Sequence, residues 1–95
     1  MSTHTATMDA IEERHWQVIA HCIQQRRLAL GLSQEQLATL AGLSRAEIQH
    51  IEHARRHPKS GTLRRIIAVF GISLIEFHAQ VDRVEHEWQA RTPRP

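Results

Sequence analysis

Tyrosine is absent from the 95 residues, and phenylalanine and tryptophan occur only twice each. Runs of β-branched residues of strand length are missing as well, so the composition argues against a sheet and for helices. A single cysteine, Cys22, excludes an internal disulfide framework and fits a reducing compartment. No apolar run approaches the about 20 residues of a membrane span, and the polar opening MSTHTATMDA lacks the apolar stretch of a signal peptide. Neither sign of charge dominates: 12 basic and 10 acidic residues leave +2, too little to read polyanion binding from net charge alone. The length allows one domain with a modest core and no separate sensory domain. These absences predict a small, soluble, cytoplasmic, all-α domain.

What is present is punctuation. Ser33, Ser44 and Ser73 each stand three residues before a Gln or Glu, namely Gln36, Glu47 and Glu76. Each pair is a capping box, in which hydroxyl and carboxylate or amide satisfy the orphan N–H groups of a helix start. Gly31, Gly42 and Gly71 stand where helices would end. Five helices follow. Helix 1 is expected from about Asp9 to Leu30, with Ile11, His15, Ile19, Ile23 and Leu30 on its inner stripe. Helix 2 spans about Gln34–Ala41, helix 3 about Arg45–His53 and helix 4 about Thr62–Phe70. Helix 5 runs from Ser73 to about Arg91. Residues 1–8 are expected to be a flexible N-terminus and 92–95 a tail.

Helices 2 and 3 carry the most information. Gly42 ends one, Leu43 turns inward, and Ser44 caps the next. Two short helices joined so tightly must cross steeply, as in a helix-turn-helix unit. Leu37, Ala41, Leu43, Ile48 and Ile51 lie where their shared core is needed, and Ala38 is small where the helices approach. With Ile48 and Ile51 inward, helix 3 presents Arg45, Ala46, Gln49, His50 and His53 outward. The charge is also unevenly placed. Residues 45–65 hold six cations and two anions, a balance of +4, leaving −2 for the rest of the chain.

Residues 23–77 resemble the phage-repressor and Cro-type helix-turn-helix family, also called the Xre family. The run LGLSQEQLATLAGLSRAEIQHIE carries the likeness, with Pro58, Thr62-Leu63, Ile66 and GISLIEF after it. The resemblance covers about 55 of 95 residues. It departs where the family's usual glycine after the Ile-Glu pair is Ala54, which bears on the backbone of the loop leaving helix 3. It implies a five-helix phage-repressor-like domain over residues 9–77 that binds double-stranded DNA by sequence, with helix 3 in the major groove and helix 2 across the backbone. Arg45 then suits guanine O6 and N7, Gln49 adenine, Ala46 a thymine methyl, and His50 a base edge or phosphate. Gln34 matches the family position that contacts a phosphate while bracing the recognition helix. Ser44, Arg55, Arg56 and Lys59 complete the expected backbone contacts. Arg27 and Glu52 match positions that form a partly buried ion pair, with a structural role.

The remaining features are weaker. His50, His53 and His57 have metal-like spacing, but a zinc site needs three or four convergent ligands and the cysteine is distant, so no metal or other cofactor is expected. Cys22 reads as a small buried apolar residue. No nucleophile–base arrangement, phosphate loop or paired carboxylates can be defended, so no enzyme is expected and no catalytic residue is assigned. In helix 5, Leu74, Phe77, Val81, Val84 and Trp88 form a heptad seam. It can pack on helix 1 of the same chain near Ile11, Trp16 and Ile19, or pair two copies. The second is preferred, with Leu74 and Phe77 in the core and Val81, Val84 and Trp88 at a homodimer interface in residues 73–91. The resulting expectation is a dimeric, nucleoid-associated repressor on an inverted-repeat operator. Its alternatives are an antitoxin with a toxin partner, or a helical protein-interaction adaptor.

Overall fold

The computed structural model describes residues 3–91, with side chains from residue 9 onward. Its elements in order are α1 (Thr3–Ala29), α2 (Gln34–Ala41), α3 (Arg45–Glu52), α4 (Ser60–Phe70) and α5 (Leu74–Arg91). Every expected helix is present. α1 starts at Thr3 rather than near Asp9, so residues 3–8 of the expected flexible N-terminus join it. No glycine or proline interrupts that stretch, and Ala6, Met8 and Ala10 favour propagation of the helix. Residues 1–2 and the 92–95 tail lie outside the described residues. α4 begins at Ser60 rather than near Thr62, directly after Pro58 and the extended Lys59. Among the described residues, no helix is long and apolar enough to cross a membrane.

The helices surround one core. Val18, Ile19, Cys22 and Ile23 of α1 meet Leu37 and Ala38 of α2, Ile48 and Ile51 of α3, Ile66 and Ile67 of α4, and Phe77 of α5. Phe77 is fully buried, and burying a side chain of that size contributes about 1.5–3 kcal/mol. The α1 stripe is narrower than expected, because Ile11 and Leu30 are exposed. Leu30 follows the last helical residue, and Arg27 takes an inward position in the last turn. Burial of Cys22 pushes its thiol up to about 11, so it behaves as a small apolar side chain.

The heptad seam of α5 turns toward α1 of the same chain. Val81 is 2% exposed, and Val84 and Trp88 pack half-buried against the core. The expectation that Val81, Val84 and Trp88 lie beyond the monomer core is therefore corrected. The 27-residue α1 is long enough to run antiparallel along the whole seam. Polar contacts fix that register: Arg26 Nε donates to Gln80 Oε1 at 2.6 Å, and the His15 ring pairs with the Glu85 carboxylate. His21 meets Trp88 edge-on, with centroids 5.4 Å apart.

Candidate nucleic-acid interface

The α2–turn–α3 unit is built by its caps. At the start of α2, the Gln36 N–H donates to Ser33 Oγ (3.0 Å) while the Ser33 N–H donates to Gln36 Oε1 (2.8 Å). α3 repeats the device with the Glu47 N–H to Ser44 Oγ and the Ser44 N–H to Glu47 Oε1, both 3.1 Å. At Ser73 one arm forms, the Glu76 N–H donating to Ser73 Oγ at 3.0 Å. Between α2 and α3 the chain reverses at Gly42 in the left-handed region (φ 71), where the Leu43 N–H reaches the Ala38 carbonyl at 2.8 Å. This pairing, with the Gly42 N–H on Thr39, is the Schellman arrangement that ends a helix.

α3 leaves by the same arrangement. The Ala54 N–H donates to Ile51 (3.1 Å) and the Arg55 N–H to His50 (2.8 Å), with Ala54 held at φ 55. The departure from the family's glycine thus leaves the backbone path intact and places the left-handed strain on an alanine.

A buried polar lock holds α3 from behind. Arg27 donates through Nε to Glu52 Oε2 (2.7 Å), through Nη2 to Glu52 Oε1 (3.0 Å) and through Nη1 to the Leu32 carbonyl (2.9 Å). Gln34 Nε2 adds a bond to Glu52 Oε1 at 3.1 Å. The two ionic side chains are 9% and 2% exposed, so the bidentate geometry and the extra donors offset the desolvation of both charges. Arg27 and Glu52 therefore stand as the ion pair the resemblance implied, and Gln34 braces α3 through the same carboxylate.

With that face pinned, the opposite face of α3 is open. Arg45 and Ala46 are exposed, and Gln49 and His50 are half-buried on the same side. The His53 ring Nδ1–H donates back to the Gln49 carbonyl at 2.9 Å. Arg55, Arg56 and Lys59 are exposed on the exit loop. Ser44 spends its N–H and hydroxyl on Glu47 within the cap. The Glu47 carboxyl is held below its ordinary value of 4.5, first by the Ser44 backbone bond, with the Arg56 and Arg65 charges adding to it. That places Arg65, absent from the expected contact set, beside the start of α3; a Cβ at Gly42 would meet its Nη1 at 3.9 Å. Its position in the Arg64-Arg65 pair of α4 was the available signal. The spaced histidines diverge: His53 bonds its own helix, and the His57 ring stacks on Trp16 of α1. Among the described residues, no three His, Cys, Asp or Glu side chains converge to hold a metal.

A helix-turn-helix family model matches residues 23–77, the span from the core of α1 to Phe77. The chain belongs to the Xre-like helix-turn-helix family. It is 34% identical over 61 residues to the HTH-type transcriptional regulator PuuR of Escherichia coli K12, over 64% of this chain and 33% of that protein. The chain thus spans about a third of the length of the curated relatives it matches. Among solved structures, a point mutant of the restriction-modification controller protein C.Esp1396I superposes with a TM-score of 0.73 at 25% identity, covering 77% of this chain and 95% of that one. The same controller bound to a 25 base pair operator site superposes at 0.68, with 26% identity over 73% of this chain and 91% of that one. The clp gene regulator ClgR of Corynebacterium glutamicum shares the fold at a TM-score of 0.76 and 16% identity, over 81% and 82% of the two chains. The helix-turn-helix chain is thus related to regulators rather than to enzymes.

Proposed function

We propose that this chain is a sequence-specific transcriptional regulator that lays α3 in the major groove of double-stranded DNA. The observation that carries the reading is the division of α3 into two faces: Ile48, Ile51 and Glu52 locked inward, and Arg45, Ala46, Gln49 and His50 outward. A recognition helix must be rigid behind and polar in front. Arg45 reads guanine bidentately, Gln49 reads adenine, Ala46 touches a thymine methyl, and His50 donates to a base edge or phosphate. Arg55, Arg56 and Lys59 take phosphates beyond the helix. Gln34 offers its second amide N–H, and the Ser44 hydroxyl exchanges Glu47 for a phosphate oxygen. The operator-bound controller among the structural relatives supports DNA as the ligand.

The regulator acts as a homodimeric repressor on an inverted repeat, its two recognition helices about 34 Å apart. With the α5 seam occupied by α1, a second copy meets the start of α5, whose Ile75 is the most exposed large apolar side chain among the described residues at 83%, with Leu74 beside it at 39%. Selection of bound duplexes from a random pool tests the reading. A recovered inverted repeat is expected, with affinity falling steeply in salt and preference at one base position lost in Arg45→Ala. Equal weakening of every sequence by that variant would make Arg45 a phosphate contact, and no binding at low salt would refute DNA recognition.

A further inference from the structure

We infer that Trp16 is a positioning residue for the phosphate-contacting loop, acting through His57; this rests on the DNA-binding reading above. The indole of Trp16, half-buried against the core, lies face to face with the His57 imidazole, centroids 4.5 Å apart and planes 11° from parallel. His57 sits between Arg56 and the buried Pro58, at the middle of the loop that carries Arg55, Arg56 and Lys59. None of those three cations makes a side-chain hydrogen bond or ion pair among the described residues, so their placement depends on how the loop backbone is held. At its start the loop is tied by the Arg55 and Arg56 N–H groups on the His50 carbonyl, at 2.8 and 3.3 Å. Past that point the ring stack and the buried Pro58 hold its middle, and the Lys59 carbonyl, accepting from the Leu63 N–H at 2.9 Å, ties its end to α4. Trp16 is itself braced, since His15 meets it edge-on at 5.8 Å and pairs with Glu85 of α5. A continuous line of side chains therefore runs from α5 through α1 to the loop.

Holding the loop before DNA arrives removes an ordering cost that each immobilised cationic side chain would otherwise incur on binding. The consequence is a change in phosphate contacts with no change in base reading. The test uses the full chain and a random-sequence duplex of about two helical turns, titrated from about 50 to about 200 mM salt. Trp16→Ala and His57→Ala are each expected to weaken binding about three- to tenfold. Each should also make the slope of log affinity against log salt shallower by about one to two, the loss of one or two phosphates. The double variant should be no worse than either single, because both remove the same stack. Trp16→Phe and His57→Phe keep a flat ring and should recover most of the loss. Additive losses, or a His57→Phe variant as weak as His57→Ala, would show that His57 acts as a direct charge and overturn the inference. An unchanged salt slope with a lowered melting temperature in Trp16→Ala would reduce Trp16 to a core residue. His57 is exposed, so its variants fold even if Trp16→Ala does not. If the wild-type protein binds no duplex, the DNA reading fails, and amide exchange in the free protein decides the stack separately. Loss of either ring must then speed exchange at the Arg55 and Arg56 amides but not in α2, and unchanged protection there refutes the positioning role.

Discussion

Replacing Ala54 by glycine should stabilise the protein. Ala54 occupies the left-handed position at the end of α3 with φ 55, and its carbonyl-capping geometry matches that of Gly42 at the end of α2 with φ 71. A Cβ in that region costs about 1–2 kcal/mol through its clash with the backbone. Glycine removes that strain but gives the unfolded chain about 0.4–1 kcal/mol of extra freedom to lose. The balance favours Ala54→Gly by about 0.5–1 kcal/mol, which for a domain of this size raises the melting temperature by about 2–8 °C. Gly42→Ala supplies the mirror experiment. A methyl group there meets only Arg65 Nη1 at 3.9 Å, an ordinary contact, so backbone strain alone should lower stability by a similar amount. Thermal unfolding of both variants, followed by circular dichroism, measures the two effects against one baseline. The reasoning is refuted if Gly42→Ala destabilises while Ala54→Gly leaves the melting temperature unchanged or lower, because two left-handed positions in the same capping arrangement would then carry unequal strain.

Glu52→Ala should cost about 3–5 kcal/mol in chemical denaturation, since it strands the Arg27 guanidinium in the core and removes the Gln34 acceptor; a loss under 1 kcal/mol would mean that water reaches the site. Glu47 is depressed in the folded state, so its contribution is full above its ordinary carboxylate range and fades as pH falls through the lower folded value. Glu47→Gln keeps a capping box of the kind Ser33 and Gln36 already form, and its acid unfolding curve should lack that component; superimposable pH profiles would contradict this. Ile75→Glu, at an exposed site, should give monomers in sedimentation with an unchanged melting temperature, whereas Val84→Glu should lower the melting temperature by breaking the contact with α1.

The parts of this molecule that were legible in the sequence are those decided within a few residues. Ser33 and Ser44 announce their helices because a capping box closes over three positions, and Gly42 marks the turn because only its neighbours determine the backbone there. The inward and outward faces of α3 follow from helical period once Ile48 and Ile51 are assigned to the core. The direction of the α5 seam was not legible. Val81, Val84 and Trp88 keep the same spacing whether they meet α1 of their own chain or a second copy, and only the length and register of α1 decide between them. The Trp16–His57 stack escaped for a related reason: two rings on different elements carry no periodic signal. The start of α1 at Thr3 carries no local mark either, since no capping box precedes it and no glycine or proline interrupts residues 3–10.

The charge of the recognition segment is larger toward solvent than its sequence sum suggests. Of its two anions, Glu52 is neutralised by Arg27, which lies outside residues 45–65, so the segment's unpaired balance rises from +4 to +5. Glu47, the other, is folded back on Ser44 with the Arg56 and Arg65 charges close by. Both carboxylates are thus spent on holding α3 in place, while Arg45, Arg55, Arg56 and Lys59 stay exposed and form no ion pair among the described residues. A chain with a net charge of only +2 can in this way present a face whose field is strongly positive within a screening length of the surface. The prediction that distinguishes this arrangement from diffuse basicity is positional. Charge-neutralising Arg55 or Arg56 should lower the salt slope by about one each, whereas neutralising Arg14 of α1 or Arg91 of α5, both outside residues 45–65, should leave it unchanged. Equal effects at both sets would mean that net charge, and not the face built by α3 and its loop, drives association.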